Sequence, residues 1–522
     1  IALIPREIKS IDNFLSSFSK ILPITNNEIS YYKKKYRLHN KNLPFVLNKN
    51  LSWADFSKLN YVIHNLQGAQ PFMSYERTYI YPNEFAHILG YVSTPNQKDL
   101  NQIDTSYSNV PNLKVGKIGL EKNSNKVLLG IPGSAIYEVN AFGKRVKNIK
   151  KIDGTNGSKI KTSIDKDIQI YAYQQLKEKS GSVVVMNMYG GVLCCVSSPS
   201  YDPNKFTYGM SYKDYDVLKK DEKKPLVNKA MTTTYPPAST FKMIVALSAL
   251  ENKIITKNFR HTCKGKVDLY EQRYHCWKDK GHGRINLKSA IKESCDIYFY
   301  EVARLLGIDR LQKTAFRFGL GDYVFQDFFE EAKGLVPSTS WKRETLGKSW
   351  YLGETMISGI GQGYIKITNV QLCKMIAQFA NGGYQINASF FDSSDLALGK
   401  KIIEDDEHIE LILKSLFEAT NHLGGTSYRS RIAGTMKLAG KTGTAQVRKI
   451  SESQREQDLK NKDLPWKFRD HSLFTGYGPA DNPKYAISVV IEHGGSGSAV
   501  AAPVARNVMR KIFEKERKLN NV

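Results

Sequence analysis

No run of about 20 apolar residues occurs anywhere in the 522-residue chain, so nothing in it spans a bilayer as a helix. Cysteine is scarce: six residues are too few to scaffold a fold of this length through disulfides. Acid is scarce relative to base, with 50 Asp and Glu against 76 Lys and Arg, a formal charge of +26. That balance suits a polyanionic partner, whether nucleic acid, an anionic membrane face or an acidic polymer, and does not choose among them. No internal repeat is evident, and no nucleic-acid motif. The chain opens at Ile1 with neither Met nor a signal peptide. Its first residues, Ile1-Ala2-Leu3-Ile4-Pro5, read like a strand met inside a domain, so the expectation is a soluble fragment whose natural N-terminus is missing.

What is present is ordinary globular material. Apolar residues make up 41% and charged residues 24%, which rules out wholesale disorder and a fibrous chain. The length calls for two domains or more. Residues 1–160 are polar and rich in Asn and Lys, with helical patches at Glu7–Ile21 and Trp53–Leu66 and a strand-like piece at Ile136–Val139. Ile152–Ser158 has the composition of a linker, so the domain boundary is placed near residue 160.

Residues 161–522 carry stronger patterns. Ile168–Glu178 fits an amphipathic helix. Ser182–Met188, the Gly190-Gly191 turn and Val192–Val196 read as a hairpin. Helices are expected at Thr240–Leu250, Leu287–Leu306 and Asn369–Asn381. Strands follow at Ser472–Tyr477 and Lys484–Ile491, and a last helix runs from about Pro503 to Lys518. A hairpin, then helices, then strands and a helix make an α+β layout around an antiparallel sheet. The highly charged stretch Val447–Lys467 reads as a surface excursion.

Three short motifs carry chemistry. In Tyr235-Pro236-Pro237-Ala238-Ser239-Thr240-Phe241-Lys242 the prolines open a helix, and Ser239 and Lys242 fall on one face at i and i+3. A serine hydroxyl becomes nucleophilic only when a base takes its proton. Lysine is that base only when neutral, which burial or a second cation brings about. By itself the pair is as readily an N-cap serine with an exposed lysine. In Lys441-Thr442-Gly443-Thr444 a glycine beside β-formers suits an edge strand on which an extended peptide pairs. Lys441 supplies the second cation and Thr442 a hydroxyl for a carboxylate; alone it is an ordinary strand start. In Ser294-Cys295-Asp296, Ser294 and Asp296 face one cleft while Cys295 points away; alone this is a polar break in a helix. Ser294 follows Ser239 by 55 residues and Lys441 follows Ser294 by 147. The set in this order is that of active-serine acyl transfer, with Asp296 standing where Asn is usual.

With those motifs on the page, the chain resembles the class B penicillin-binding proteins, most closely their elongation-type branch, over nearly its whole length. Arg77-Thr78-Tyr79 with Ala86–Val92, Gly116–Glu121, Ser197–Asn204 and Ser358–Gly363 are similar to further family motifs. The Ser-x-Asp variant is similar to the elongation branch. The resemblance implies a C-terminal transpeptidase domain of serine β-lactamase-like fold at 161–522, a central antiparallel sheet flanked by helices. It implies an elongated, non-catalytic pedestal or dimerisation-type domain at 1–160.

The reaction it implies is peptidoglycan D,D-transpeptidation in cell-wall elongation and rod-shape maintenance, by acyl transfer with no cofactor required. Ser239 is the nucleophile, Lys242 its base, and Ser294, Asp296 and Lys441 complete the catalytic set. Thr442, Gly443 and Thr444 bind the substrate and oxyanion. β-Lactams inhibit by acylating Ser239. The implied partners are stem peptides, a rod-complex glycosyltransferase and an MreC-like scaffold, with no nucleic acid. The implied location is the bacterial inner membrane, through an N-terminal anchor absent from this chain, with the bulk in the periplasm.

Cys263, Cys276, His282 and Cys295 follow the pattern C-x12-C-x5-H-x12-C, four soft ligands that suit tetrahedral structural zinc. A disulfide or reduced thiols remain open alternatives, and His275 and Asp268 are substitute ligands. The resemblance adds that some elongation-type members carry a metal in this stretch. Cys194, Cys195 and Cys373 sit in apolar surroundings and read as core. Two rivals stand beside this reading: a β-lactamase or β-lactam sensor, which the N-terminal motifs disfavour, and a basic scaffold for nucleic acid or anionic glycan, which the diffuse charge disfavours.

Overall fold

The structure, a computed structural model, describes residues 1–41, 43–47, 51–72, 76–107, 110, 112–141, 145–269, 272–326, 328, 330–392, 396–448 and 461–520. It divides into two compact units, Ile1–Ile160 with Tyr201–Val217, and Lys161–Ser200 with Leu218–Val522. Tyr201–Val217 therefore packs with the first unit although it lies within the second in sequence.

The first unit has two clusters. In one, Ala2–Leu3 pairs antiparallel with Phe45–Val46 and with Ala69–Gln70. Helices Ile11–Ile21 and Asn26–Arg37 bury Phe14, Leu15, Phe18, Tyr32 and Tyr36 against Leu3, Phe45 and Leu59. The first of these helices starts at Ile11 and not at Glu7. Ser10 accepts a hydrogen bond from the Asn13 N–H and caps it, while Pro5–Glu7 form a separate 3-10 turn. Likewise the regular helix from Trp53 ends at Val62 and tightens into a 3-10 turn over Ile63–Asn65.

In the other cluster, the family-like N-terminal motifs meet. Arg77 Nε lies 2.8 Å from Glu121 Oε1. The buried Tyr79 hydroxyl donates to Glu121 and accepts from the Val92 N–H. The Tyr79 backbone exchanges two bonds with the Asn204 amide, and Tyr201 donates to the Ala86 carbonyl. Hydrogen bonds to buried polar groups, and not apolar burial alone, tie these distant segments together. The hairpin Ser134–Val139 with Arg145–Ile152 is exposed along its first strand.

The second unit is built on α1 (Lys166–Gln175), β1 (Gly181–Asn187), β2 (Val192–Ser198), α2 (Lys242–Glu251), β3 (Arg260–Cys263), β4 (Lys266–Leu269), β5 (Gln272–His275), β6 (Gly283–Asn286), α3 (Leu287–Lys292), α4 (Asp296–Leu306), α5 (Leu352–Gly359), α6 (Asn369–Ala380), α7 (Asp406–Asn421), β7 (Ala439–Ala445), β8 (His471–Gly478), β9 (Tyr485–Ile491) and α8 (Ala501–Asn520). A five-stranded antiparallel sheet runs β7-β8-β9-β1-β2. This is the expected α+β layout of an antiparallel sheet flanked by helices, and it puts β7 at one edge of the sheet.

Both faces of the sheet are covered, which is why β1 reads as an unbroken apolar run, Val183 to Met186. Val183, Val185, Cys194, Ile487 and Val489 pack under α1 and α8. On the other side α6 is buried along its whole length. Several of its polar side chains are hydrogen-bonded: Asn369 Nδ2 donates to Ser182 Oγ and the Ser488 carbonyl, and Gln371 and Gln378 donate to loop carbonyls. Cys373 and Cys195 lie in this core as expected. Of the charged excursion 447–467, residues 449–460 lie outside the described residues. No helix among the described residues is long and apolar enough to cross a membrane.

Ile487 is fully buried at the sheet centre, whereas Ile149 is 63% exposed. Ile487→Ala is expected to lower unfolding stability by about 2–5 kcal/mol, and Ile149→Ala to stay within about 0.5 kcal/mol. Guanidinium unfolding followed by circular dichroism checks both, and equal losses would contradict this placement of the core.

Candidate active site

Pro236 and Pro237 stop the preceding chain and leave Ser239 in a 3-10 turn, Ala238–Phe241, that leads directly into α2. The turn is tight enough to hold Ala238 at φ 51. Its N–H donates to the Gly361 carbonyl at 2.9 Å. A side chain on Gly361 (φ 69) would stand 2.2 Å from the Ala238 carbonyl oxygen, so only glycine fits there. The Ser358–Gly363 motif thus braces the serine turn from behind. Its Gln362 amide also donates to the Thr444 carbonyl at 3.2 Å.

The helix expected over Leu287–Leu306 is interrupted. α3 stops at Lys292, Ser294 takes a left-handed φ of 57, and Cys295 caps α4. A left-handed backbone costs a non-glycine residue about 1–2 kcal/mol, and such strain collects at functional sites. The break turns Ser294 and Asp296 into one cleft while Cys295 is fully buried behind them. Periodicity alone could not find this break, because the flanking residues suit a helix on both sides.

The fully buried Lys242 Nζ donates to Asp296 Oδ1 at 2.8 Å, to the Ser294 carbonyl at 3.0 Å and to Ser294 Oγ at 3.3 Å. Its charge also lies 5.3 Å from the Phe299 ring centre. Lys441, on the edge strand β7, is fully buried too and donates to the Thr442 carbonyl at 3.2 Å. Burial, and next the charge of Lys242, push the Lys441 amine well below its ordinary value, with Asp296 opposing them. Two amines and one carboxylate therefore share a dry floor, and Lys441 is the one held toward neutrality.

Ser239, Ser294, Asp296, Thr442, Gly443 and Thr444 line one groove of about 1130 Å³. The Thr442 hydroxyl donates to Thr426 Oγ1 at 3.1 Å, and Thr444 Oγ1 accepts from the Gly497 N–H at 3.2 Å.

Sequence reasoning missed Trp277. Its N–H donates to Asp296 Oδ2 at 3.0 Å, and its indole Nε1 donates to the Glu293 and Ser294 carbonyls at 3.0 and 3.1 Å. Its place next to Cys276 was the one available signal. Arg273, Thr426, Asp470, Ser496 and Ser498 also line the groove without a sequence signal.

The cysteine pattern converges in space. The ligand atoms of Cys263, Cys276, His282 and Cys295 all lie within 4.8 Å of one another. His282 Nδ1 is 3.6 Å from Cys263 Sγ and 3.5 Å from Cys276 Sγ. The hydrogen bond from Cys295 holds the Cys276 thiol below its ordinary value, and the same bond pushes Cys295 up. All six cysteines are free thiols, which sets aside the disulfide alternative. His275 and Asp268 stand outside this cluster and line the groove instead, because they lie on the hairpin that the cluster roots.

Comparison with known proteins places this geometry. The model of the penicillin-binding protein transpeptidase domain matches residues 181–510, and that of the penicillin-binding protein dimerisation domain matches 1–162. The chain is 32% identical over 531 residues to the peptidoglycan D,D-transpeptidase MrdA of Escherichia coli K12, covering 98% of this chain and 82% of the relative. Among solved structures, PBP2 of Helicobacter pylori in complex with MreC is similar at TM-score 0.84 and 29% identity, covering 98% of this chain and 93% of that one. PBP2 of Pseudomonas aeruginosa in complex with WCK 5153 is similar at TM-score 0.73 and 36% identity, covering 84% and 91%. On these matches, spanning both units, the chain belongs to the penicillin-binding proteins, as a serine-type D,D-transpeptidase of their class B, elongation-type branch.

Proposed function

We propose that this chain crosslinks peptidoglycan stem peptides through an acyl-enzyme on Ser239, and that β-lactams stall it by acylating the same hydroxyl. The observation that carries the reading is the shared groove: Ser239, the Ser294 turn and the Lys441 strand meet there, over two buried amines and one carboxylate. The relatives named peptidoglycan D,D-transpeptidase support the substrate class.

Resting Lys242 donates all its bonds and must release a proton before it can act as a base. A neutral Lys441 amine gives that proton a destination by way of Ser294 Oγ. Lys242 then takes the Ser239 proton as Oγ attacks the carbonyl of the penultimate D-alanine. The oxyanion forms against the N–H groups of Ser239 and Thr444. When the tetrahedral intermediate collapses, the C–N bond breaks and the proton on Lys441 returns through Ser294 to the leaving D-alanine amine. An amine from a neighbouring stem peptide then attacks the acyl-enzyme, and the same path runs backwards. Thr442 and Thr444 hold the terminal carboxylate, and Gly443 lets the substrate backbone approach β7. Asp296 keeps one positive charge balanced throughout.

The wider setting follows the same reading: cell-wall elongation and rod shape, with the enzyme on the periplasmic side of an inner membrane. A rod-complex glycosyltransferase and an MreC-like scaffold are its partners, the latter supported by the complex that the Helicobacter pylori relative forms. Residues 1–160 serve as the non-catalytic pedestal.

The three thiols and His282 Nδ1 fit structural zinc. Tetrahedral zinc at about 2.3 Å from sulfur needs thiolates about 3.8 Å apart, a small contraction of the cluster seen. Zinc there would supply structural bracing only, holding Cys295 and hence the turn between Ser294 and Asp296; no chemical step passes through it.

Three outcomes are expected. Benzylpenicillin acylates the wild type stoichiometrically at Ser239 by intact mass, and Ser239→Ala stays unlabelled; sustained cephalosporin turnover would favour a β-lactamase instead. Because Lys441 accepts a proton only when neutral, acylation falls as pH drops through its lowered pKa and levels off above it. The rise therefore lies below the ordinary lysine value of 10.5. Lys441→Arg, always protonated, is expected to be slower by about 10²–10⁴-fold and to lose that limb in stopped-flow acylation. Elemental analysis finds about one zinc per chain, lost in Cys276→Ser with a lower melting temperature; a metal-free, equally stable wild type refutes the zinc assignment.

A further inference from the structure

The edge strand β7 sets the direction in which a donor peptide lies. With its terminal carboxylate at Thr442 and Thr444 and its scissile carbonyl at the Thr444 N–H, the residues ahead of the scissile bond run out past Ala445 and Gln446. Across the sheet, Thr444 pairs with Ser472 and Ala445 with His471, so the next residue on the neighbouring strand's side is Asp470. Asp470 lines the groove there with Gln446, Ser496 and Ser498. The loop after β9 ties this place to the reacting centre: the Gly497 N–H donates to Thr444 Oγ1 at 3.2 Å, and the Gly495 N–H to the Asp470 carbonyl at 2.8 Å. Two residues of chain join these anchors, a span of about 7 Å at most.

Asp470 differs from the other carboxylates of the groove. Asp268 is ion-paired with Arg273 and Asp296 with Lys242, each at 2.8 Å. Asp470 is only 9% exposed, and it forms no ion pair among the described residues. Its oxygens accept from neutral donors, the Val447 N–H at 3.4 Å and Asn461 Nδ2 at 3.1 Å. The adjacent His471 brings no positive charge, because burial, and next the charge of His493, push its pKa down to about 3.

A carboxylate has about four acceptor sites, so two neutral donors leave capacity at Asp470. A buried carboxylate with no cation beside it is costly, and a ligand cation relieves that cost. The reaction supplies one. The acceptor amine is carried by a stem peptide, and donor and acceptor are units of the same polymer. The donor therefore bears the same side-chain amine, protonated near neutral pH.

Resting on the transpeptidase reading above, we infer that Asp470 is a specificity-determining residue of the donor site, whose carboxylate binds the side-chain ammonium of the diamino residue directly ahead of the D-Ala–D-Ala pair. It gives the groove a second charged point of attachment, at the far end of β7 from the one that holds the terminal carboxylate. An ammonium held there is no nucleophile, so the donor's own amine is kept from the acyl carbonyl that a neighbouring peptide's amine must attack.

The test uses synthetic donor peptides ending in Lys–D-Ala–D-Ala, with the lysine side-chain amine free, acetylated or succinylated. Acyl-enzyme formation at Ser239 is followed by intact mass, without acceptor, as kcat/KM. The wild type is expected to favour the free amine over the acetylated one about tenfold, the effect of one hydrogen bond to a charged group. Asp470→Asn is expected to bring that ratio to about one, mainly through KM, and Asp470→Glu to restore part of it. A wild-type ratio of one, or a ratio that survives Asp470→Asn, overturns the inference; a carboxylate that merely anchors Val447 and Asn461 would leave the ratio untouched. Should Asp470→Asn fail to fold, the wild type decides with the succinylated peptide, whose reversed charge is expected to make it slower than the acetylated one; equal rates overturn the inference. In a second arm, transfer from the preformed acyl-enzyme to an amine-bearing acceptor peptide is timed, and an Asp470→Asn defect confined to that step assigns Asp470 to the acceptor and overturns the donor assignment. Benzylpenicillin labelling of the same wild-type sample keeps the two ideas apart: labelling with a flat ratio sinks only the ammonium site, whereas no labelling sinks the transpeptidase reading itself.

Discussion

Two lysine amines and a single carboxylate meet out of water beneath Ser239, and that charge imbalance governs the catalytic unit. Lys242 is paired with Asp296 at 2.8 Å, while Lys441 donates to the Thr442 carbonyl and forms no ion pair among the described residues. Two buried ammonium groups beside one carboxylate would leave an uncompensated charge in a medium of low dielectric, which is costly. The system relieves that cost by holding one amine toward neutrality, and a neutral amine is what proton transfer needs. Asp296, where the usual motif has an uncharged Asn, therefore sharpens the division of labour between the two lysines.

Everything around that floor fixes it in place. Ser294 is bent into a left-handed backbone between two helices, and its carbonyl is held jointly by Lys242 and the Trp277 indole. Trp277 also grips the second oxygen of Asp296 and stacks edge-on to His282, with centres 5.6 Å apart. One residue thus touches both the carboxylate pair and the thiol and imidazole cluster. From the opposite side the sheet presents Lys441 on its edge strand, and α6, buried on every face, supports the sheet. A strained turn persists only where its surroundings over-determine it, and here they do so from three directions.

The outline of the catalytic unit was legible because its elements are locally consistent. The hairpin β1–β2, the helix α6, the strands β8 and β9 and the helix α8 lie within a few residues of the expected spans, since their periodicity, caps and turn residues agree. The failures have physical causes. Residues 287–306 look helical throughout, and the break at Ser294 comes from tertiary contacts that no local propensity encodes. Ser10 shortened the first helix by capping it, a local signal that periodicity overlooks. Tyr201–Val217 joined the first unit because Asn204 and Tyr201 bond to Tyr79 and Ala86 from more than a hundred residues away.

Residue identity and order alone determined which chemistry was available: a serine with a lysine one turn on, a Ser-x-Asp step, a Lys-Thr-Gly strand, and four soft ligands at fixed spacing. These follow from covalent sequence, because side-chain type and helix pitch are local properties. Only the tertiary structure decided which lysine gives up its charge, that Trp277 binds the Asp296 carboxylate, and that Asp268 and Arg273 face the groove instead of the thiol cluster. Burial, Coulomb energy and hydrogen-bond geometry depend on distances between residues far apart in the chain, and those distances exist only once it has folded.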